Sequence, residues 1–167
     1  MAIFFSGREL IDIAIGIEKS GLAFYDSVAT ANRDRKTQGI FRHLAGKERE
    51  HIQTFQNMLG PAAEYPTLEP YTEDYAIYLN TLVDSAVFKN ERTAREIAQR
   101  AASEFEAIET GIRAEKDSIL FYSAIQDLVR RADAELISRI VKEEKSHLAQ
   151  LSDLKNDVNK SQQPGYH

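Results

Sequence analysis

Two copies of one pattern, Glu48-Arg49-Glu50-His51 and Glu144-Lys145-Ser146-His147, limit what this chain can fold into. Each follows a lone Glu set in an apolar helical stripe. Glu18 lies 48 − 18 = 30 positions before the first motif, and Glu115 lies 144 − 115 = 29 before the second. On a helix, residues three apart stand about 60° apart around the axis and roughly one turn along it, so the Glu and His of each motif can reach one ion. The segments around the lone glutamates also correspond. Ile17-Glu18-Lys19-Ser20-Gly21-Leu22-Ala23-Phe24-Tyr25 matches Ala114-Glu115-Lys116-Asp117-Ser118-Ile119-Leu120-Phe121-Tyr122 at the Glu, Lys, Phe and Tyr positions. The offset of 115 − 18 = 97 residues indicates a duplicated helix pair. A solenoid would repeat about every 20 to 50 residues.

The elements that carry these residues read as helices. Ser6 with Glu9 is a capping box that opens a first helix to about Ala31, with Leu10, Ala14, Ile17, Gly21, Phe24 and Val28 as its stripe and Glu18 within it. Asn32-Arg33-Asp34 is a break of the length that joins antiparallel helices. A second helix, about Arg35 to Leu59, carries Glu48 and His51 and ends at Gly60-Pro61. Residues 60–72, with Pro61, Pro66 and Pro70, form an extended crossing; Thr72 caps a shorter helix of about residues 73–88, and residues 91–102 are helical. Ser103 with Glu106 opens a third long helix to about Arg131 around Glu115, and a tight turn near Asp133 leads to a fourth carrying Glu144 and His147. The predicted architecture is all-α: a four-helix bundle of two antiparallel hairpins, joined by a long crossover that contains short helices. Residues 1–158 form one domain and 159–167 a polar, frayed tail.

Composition narrows the function. The chain has no Cys, which excludes thiolate zinc sites, iron–sulfur clusters and Cys nucleophiles and fits a reducing, cytoplasmic setting. A net charge of −5 argues against a nucleic-acid partner. Arg8, Glu9 and Asp12 interrupt the amino-terminal apolar run before it could act as a signal core or membrane span, so no membrane association is expected.

An ionised carboxylate in an apolar seam costs several kcal/mol unless it is paired, protonated or bound to a cation. Either Glu-x-x-His alone reads as a solvated Glu beside a satisfied His. Taken together, the six residues Glu18, Glu48, His51, Glu115, Glu144 and His147 read as a two-metal site, since four carboxylates balance two divalent ions and two imidazoles complete the shells. Hard oxygen ligands with one imidazole per metal suit two iron ions, or manganese; zinc and cobalt are also compatible. Glu48 and Glu144 are expected to bridge, with Glu18 and Glu115 terminal. Tyr25 and Tyr122, two turns beyond their glutamates, are placed to hydrogen-bond around the cluster or simply to fill the core. His43, Asp117, Glu143 and Glu109 are out of phase and expected on solvated faces; His167 falls in the tail.

The two motifs, the lone glutamates and the Glu-to-Tyr spacing resemble the rubrerythrin branch of the ferritin-like di-iron carboxylate proteins over about residues 6–158. His43-Leu44-Ala45-Gly46-Lys47-Glu48-Arg49-Glu50-His51 resembles that family's second-helix motif, and Ile140-Val141-Lys142-Glu143-Glu144-Lys145-Ser146-His147 its fourth. The bundle with one crossover and its rule of two Glu plus two Glu-x-x-His belong to the ferritin-like class in general. The resemblance implies an oxidoreductase that reduces hydrogen peroxide or dioxygen, fed by a rubredoxin-type donor. Having no Cys, this chain would take electrons from a separate protein. Family members also carry a further third-helix Glu where this chain has Ser118, which points to a symmetric six-ligand site. The resemblance and the Tyr-rich segment 71–88 imply a homodimer. Iron oxidation for storage, or a metal-stabilised interaction bundle, are the other expectations.

Overall fold

The computed structural model describes residues 1–61 and 64–162, and among these every regular element is helical. The helices are α1 (Gly7–Ala31), α2 (Arg35–Leu59), α3 (Glu73–Ser85), α4 (Glu91–Arg100), α5 (Glu104–Ile125) and α6 (Arg131–Gln162). Local chemistry sets most of their ends. Ser6 and Glu9 close a reciprocal capping box on α1, and Asp34 accepts from the Thr37 N–H at 2.8 Å to start α2. Gly60, at φ 54°, lets the chain leave α2 in a conformation that side chains disfavour. Thr72, Asn90 and Ser103 cap α3, α4 and α5 in the same way.

α1 and α2 pack as one antiparallel hairpin and α5 and α6 as the other, while α3 rests on α5 and α4 runs along α1. The core is two apolar clusters. One joins Leu10, Ile11, Phe55, Tyr122, Ile125 and Ile137; the other joins Phe24, Phe41, Leu44, Ile108, Leu151 and Leu154. On each long helix the two clusters are separated by the stretch that carries the Glu or Glu-x-x-His. The polar residues are therefore a layer between two dry ones. Each large side chain buried on either side contributes about 1.5–3 kcal/mol toward holding that layer shut.

The structure differs from the sequence reading at several boundaries. α5 stops at Ile125, not near Arg131, and the turn lies at 126–130, not at Asp133. Leu128 and Val129 extend the apolar stripe because they are buried in the turn, not because the helix continues. Asp133 sits in the first turn of α6, where a negative charge meets the positive end of the helix dipole. The Ser103 box is only half formed, since Glu106 accepts from the Ala102 N–H at 2.8 Å. α3 ends at Ser85, because the Val87 N–H is taken by the Asp117 carboxylate at 2.8 Å. α6 runs on to Gln162, into the stretch expected as a frayed tail; residues 163–167, with His167, lie outside the described residues. No helix among the described residues is long and apolar enough to cross a membrane.

The crossover is strapped to one end of the bundle. Tyr65 is buried, donates its hydroxyl to Asp133 and lies under the Arg130 guanidinium, 4.1 Å from ring centroid to Cζ. Arg130 also donates to Asp133 at 2.9 Å and to the Met58 carbonyl at 2.5 Å, so one side chain ties α2, the crossover and α6 together. The Tyr65 carbonyl accepts from the Arg8 N–H at 2.8 Å, which draws the crossover against the start of α1. Gly7 makes that approach possible. A Cβ there would stand 2.7 Å from the backbone oxygens of Tyr65 and Pro66. Gly7→Ala is expected to cost about 1–3 kcal/mol, as overpacking against unyielding backbone does; urea unfolding that matches the parent protein would contradict this account of the strap.

Candidate metal centre

The phase of each long helix brings the six expected residues into one layer. Glu18, Glu48, His51, Glu115, Glu144 and His147 are all buried, none more than 4% exposed. They form two overlapping groups, Glu18, Glu48, His51 and Glu144, and Glu48, Glu115, Glu144 and His147; within each group the four donor atoms lie within 4.8 Å of one another. Glu48 and Glu144 belong to both. Both imidazoles turn Nδ1 inward: His51 Nδ1 stands 2.8 Å from Glu144 and 3.4 Å from Glu18, and His147 Nδ1 stands 3.5 Å from Glu144 and 3.8 Å from Glu115. The two rings stack at 5.9 Å and 24°.

These close approaches lack hydrogen-bond geometry. Among the described residues, the buried side-chain atoms without a hydrogen-bond partner are Glu18 Oε2, Glu48 Oε1, His51 Nδ1, Glu115 Oε2, Glu144 Oε1 and His147 Nδ1, one on each of the six residues. Buried polar atoms are rarely left so, and each orphan costs about 1–3 kcal/mol. Six orphaned oxygen and imidazole donors facing one another are what hard or borderline metal ions satisfy, so the donor set fits.

Without ions, protons carry the compensation. Burial first, then repulsion from Glu18 and Glu144, raises Glu48 well above the usual carboxylate range. Burial and the nearby Glu144 do the same to Glu115. Burial alone would also raise Glu144, but contacts with Glu115, His147 and His51 outweigh it and hold Glu144 well below that range. Burial would lower His51, yet Glu144 and Glu18 push it up to about 11; His147, against Glu115 and Glu144, is pushed up to about 9 despite the same opposing burial.

The surrounding contacts are crossed between the hairpins. Tyr25 of α1 donates to Glu115 of α5, and Tyr122 of α5 donates to Glu18 of α1 at 2.5 Å. Each tyrosine thus takes one oxygen of the opposite half's glutamate and leaves the other facing the cluster. Both phenols are raised well above the ordinary tyrosine value by burial and by the carboxylates, and so remain donors. Gly21 leaves room for Glu48, whose Oε2 would stand 3.0 Å from a Cβ at that position. Ser118, at the equivalent place in α5, turns its hydroxyl to the Ala114 carbonyl at 3.1 Å and offers nothing to the cluster.

Two residues expected on solvated faces make contacts there with other elements. Glu143 is partly exposed but approaches His51 Nε2 at 3.3 Å and Lys47 Nζ at 3.7 Å, so it braces the far side of one imidazole. Asp117 is half-buried and holds the Val87 N–H. Both contacts were missed because phase along one helix says nothing about what a neighbouring element presents. His43 is exposed as expected, although its ring stands edge-on 6.4 Å from His147. Glu109 pairs with Lys155 at 2.5 Å, away from the cluster.

Comparison with known proteins agrees with this geometry. A crystal structure of a Thermotoga maritima protein described as ferritin-like diiron-carboxylate is similar, with a TM-score of 0.68, 25% sequence identity, and 92% of this chain and 97% of that chain covered. No curated protein matches the chain. The family model for rubrerythrin matches residues 9–155. Because that match begins in α1, ends in α6 and takes in both Glu-x-x-His motifs, the chain belongs to the rubrerythrin family.

Proposed function

We propose that this protein is a di-iron oxidoreductase that reduces hydrogen peroxide or dioxygen with electrons from a separate donor. The observation that carries the reading is the set of six orphaned donor atoms, one on each residue of the layer. Glu18, Glu48, His51 and Glu144 would hold one iron and Glu48, Glu115, Glu144 and His147 the other, with Glu48 and Glu144 common to both groups. Two Fe(II) ions, when bound, supply the two electrons that convert hydrogen peroxide and two protons into two waters. The chain's own residues do the rest. Tyr25 and Tyr122 fix one oxygen of each terminal carboxylate, Glu143 orients His51, and the two apolar clusters keep bulk water from the reacting layer. With no Cys in the sequence to hold a thiolate iron centre, the donor is proposed to be a separate rubredoxin-type protein.

The direct experiment is anaerobic. Protein loaded with Fe(II) is mixed with hydrogen peroxide and followed spectroscopically, and one peroxide is expected to oxidise two irons. If two irons load but persist through peroxide and dioxygen exposure, the oxidoreductase reading is wrong. Glu48→Ala and Glu144→Ala should each abolish two-metal loading while circular dichroism keeps its helical signature; intact stoichiometry in both variants would remove the bridging assignment.

Loading should also release protons. His51 and His147, pushed up to about 11 and about 9, are expected to carry protons at neutral pH before ions bind, and burial raises Glu48 and Glu115 in the same sense. Ions take only the deprotonated ligands, so apparent affinity rises with pH. Titration in weak buffer should show the pH fall on metal addition, and a pH-independent affinity between 6 and 8 would contradict the proton-filled cluster.

Glu143→Ala tests the brace on His51. Loss of such an outer partner typically costs about 10–100-fold in metal affinity. One of the two ions should weaken by that order while the other is unchanged, as read by competition with a chelator. Two equally weakened sites would show instead that the cluster loosens as a whole.

A further inference from the structure

Hydrogen peroxide needs very little space, and the structure provides much more. A cavity of about 480 Å³ opens beside the polar layer, between α1, α5 and the connection from α3 to α4. At about 30 Å³ for a water-sized group it has room for about sixteen of them. Ile17, Leu82, Val83, Val87 and Phe121 make its walls mainly apolar, interrupted by Ser20, Asp117 and Ser118, which is more apolar surface than peroxide and water require. Its inner end is polar and is made by Tyr25, Glu48 and Glu115, members and neighbours of the proposed iron layer. Exposed Lys19 and Lys89 stand at the outer rim. The outer wall is built rather than loose: Asp117 holds the Val87 N–H, and Phe88 stacks on Phe24 at 4.9 Å between centroids.

A mainly apolar channel that runs from a charged, exposed rim to a polar inner end at a redox centre suits a molecule with an apolar body and a polar reactive head. We propose that the cavity binds a single unbranched alkyl chain with a hydroperoxide head, the head at Glu48 and Glu115 and the chain along the apolar wall. This rests on the proposed di-iron reading and names its organic substrate class. The O–O bond of the hydroperoxide breaks; two electrons from the reduced iron pair and two protons yield the alcohol and one water. The alkyl chain keeps all its bonds, so the product occupies the same wall.

Gly16 provides the test. It lines the cavity, and a Cβ built there meets nothing within 4 Å, so a larger side chain can enter the space without displacing backbone. Gly16→Leu on α1 and Val83→Phe on α3 are each expected to reduce the volume. The binding probe is a series of 1-alkanols from butanol to decanol, the product class, titrated calorimetrically into the protein both before and after iron loading. Affinity is expected to rise about fourfold per methylene until the cavity is filled, and to fall at least about tenfold for octanol in both variants. Octyl hydroperoxide should oxidise the Fe(II) protein faster than tert-butyl hydroperoxide, with that preference lost in both variants while iron content and the hydrogen peroxide reaction persist. A flat alkanol series, or octanol affinity unchanged by both substitutions, overturns the proposal. If octanol binds as described but iron fails to load or to react with any peroxide, the substrate assignment falls with the di-iron reading. If iron loads and hydrogen peroxide reacts but octanol does not bind, the alkyl site alone is wrong.

Discussion

Repulsion among four carboxylates sealed between two apolar clusters is the interaction the rest of this structure answers to. Bulk water screens it little, because Glu18, Glu48, Glu115 and Glu144 are buried and the layers on either side along the bundle are filled by Phe, Leu and Ile. The shifts that answer it favour protons: burial and repulsion raise Glu48 and Glu115, and the carboxylates beside them raise His51 and His147. The same groups become the donors that divalent ions require once those protons leave. Proton storage and metal capacity are two states of one cluster.

The helices are arranged so that this cluster is held from outside as well as faced from inside. Small residues admit the crowded carboxylates, as Gly21 does for Glu48, and buried phenols take one oxygen of each lone glutamate. Apart from Tyr25 and Tyr122, whose hydroxyls reach Glu115 and Glu18, the apolar clusters act on the layer through packing. They set the spacing at which four helix faces can bring six donors within a few ångströms. The two halves are alike but not identical around the cluster: His51 has Glu143 behind it, whereas His147 has the exposed ring of His43 beside it.

Most of the frame was legible in the sequence because it is written in local chemistry. Ser6 with Glu9, Asp34, Gly60 and Thr72 mark helix ends through bonds to their own neighbours, and the structure shows those bonds. The convergence of the six residues followed from a repeat and a phase, both of which survive folding unchanged. What was missed depends on contacts between elements. The end of α5 was read too late because Leu128 and Val129 are buried by the turn itself. Glu143 and Asp117 looked solvated because His51 and Val87 reach them from other segments. The tyrosines were compared with the glutamates of their own helices, and each in fact bonds to the other hairpin's. The cavity left no trace in sequence at all, since its walls come from α1, α5 and the α3–α4 connection together.

That crossing of tyrosines has a consequence for how the halves depend on each other. Tyr25 cannot reach its partner until the second hairpin arrives, and Tyr122 cannot reach its own until the first is present. A hairpin alone therefore lacks the group that would preorganise its own lone glutamate. The duplicated halves are tied at two reciprocal points, and the site is a property of their docking, possessed by neither separately.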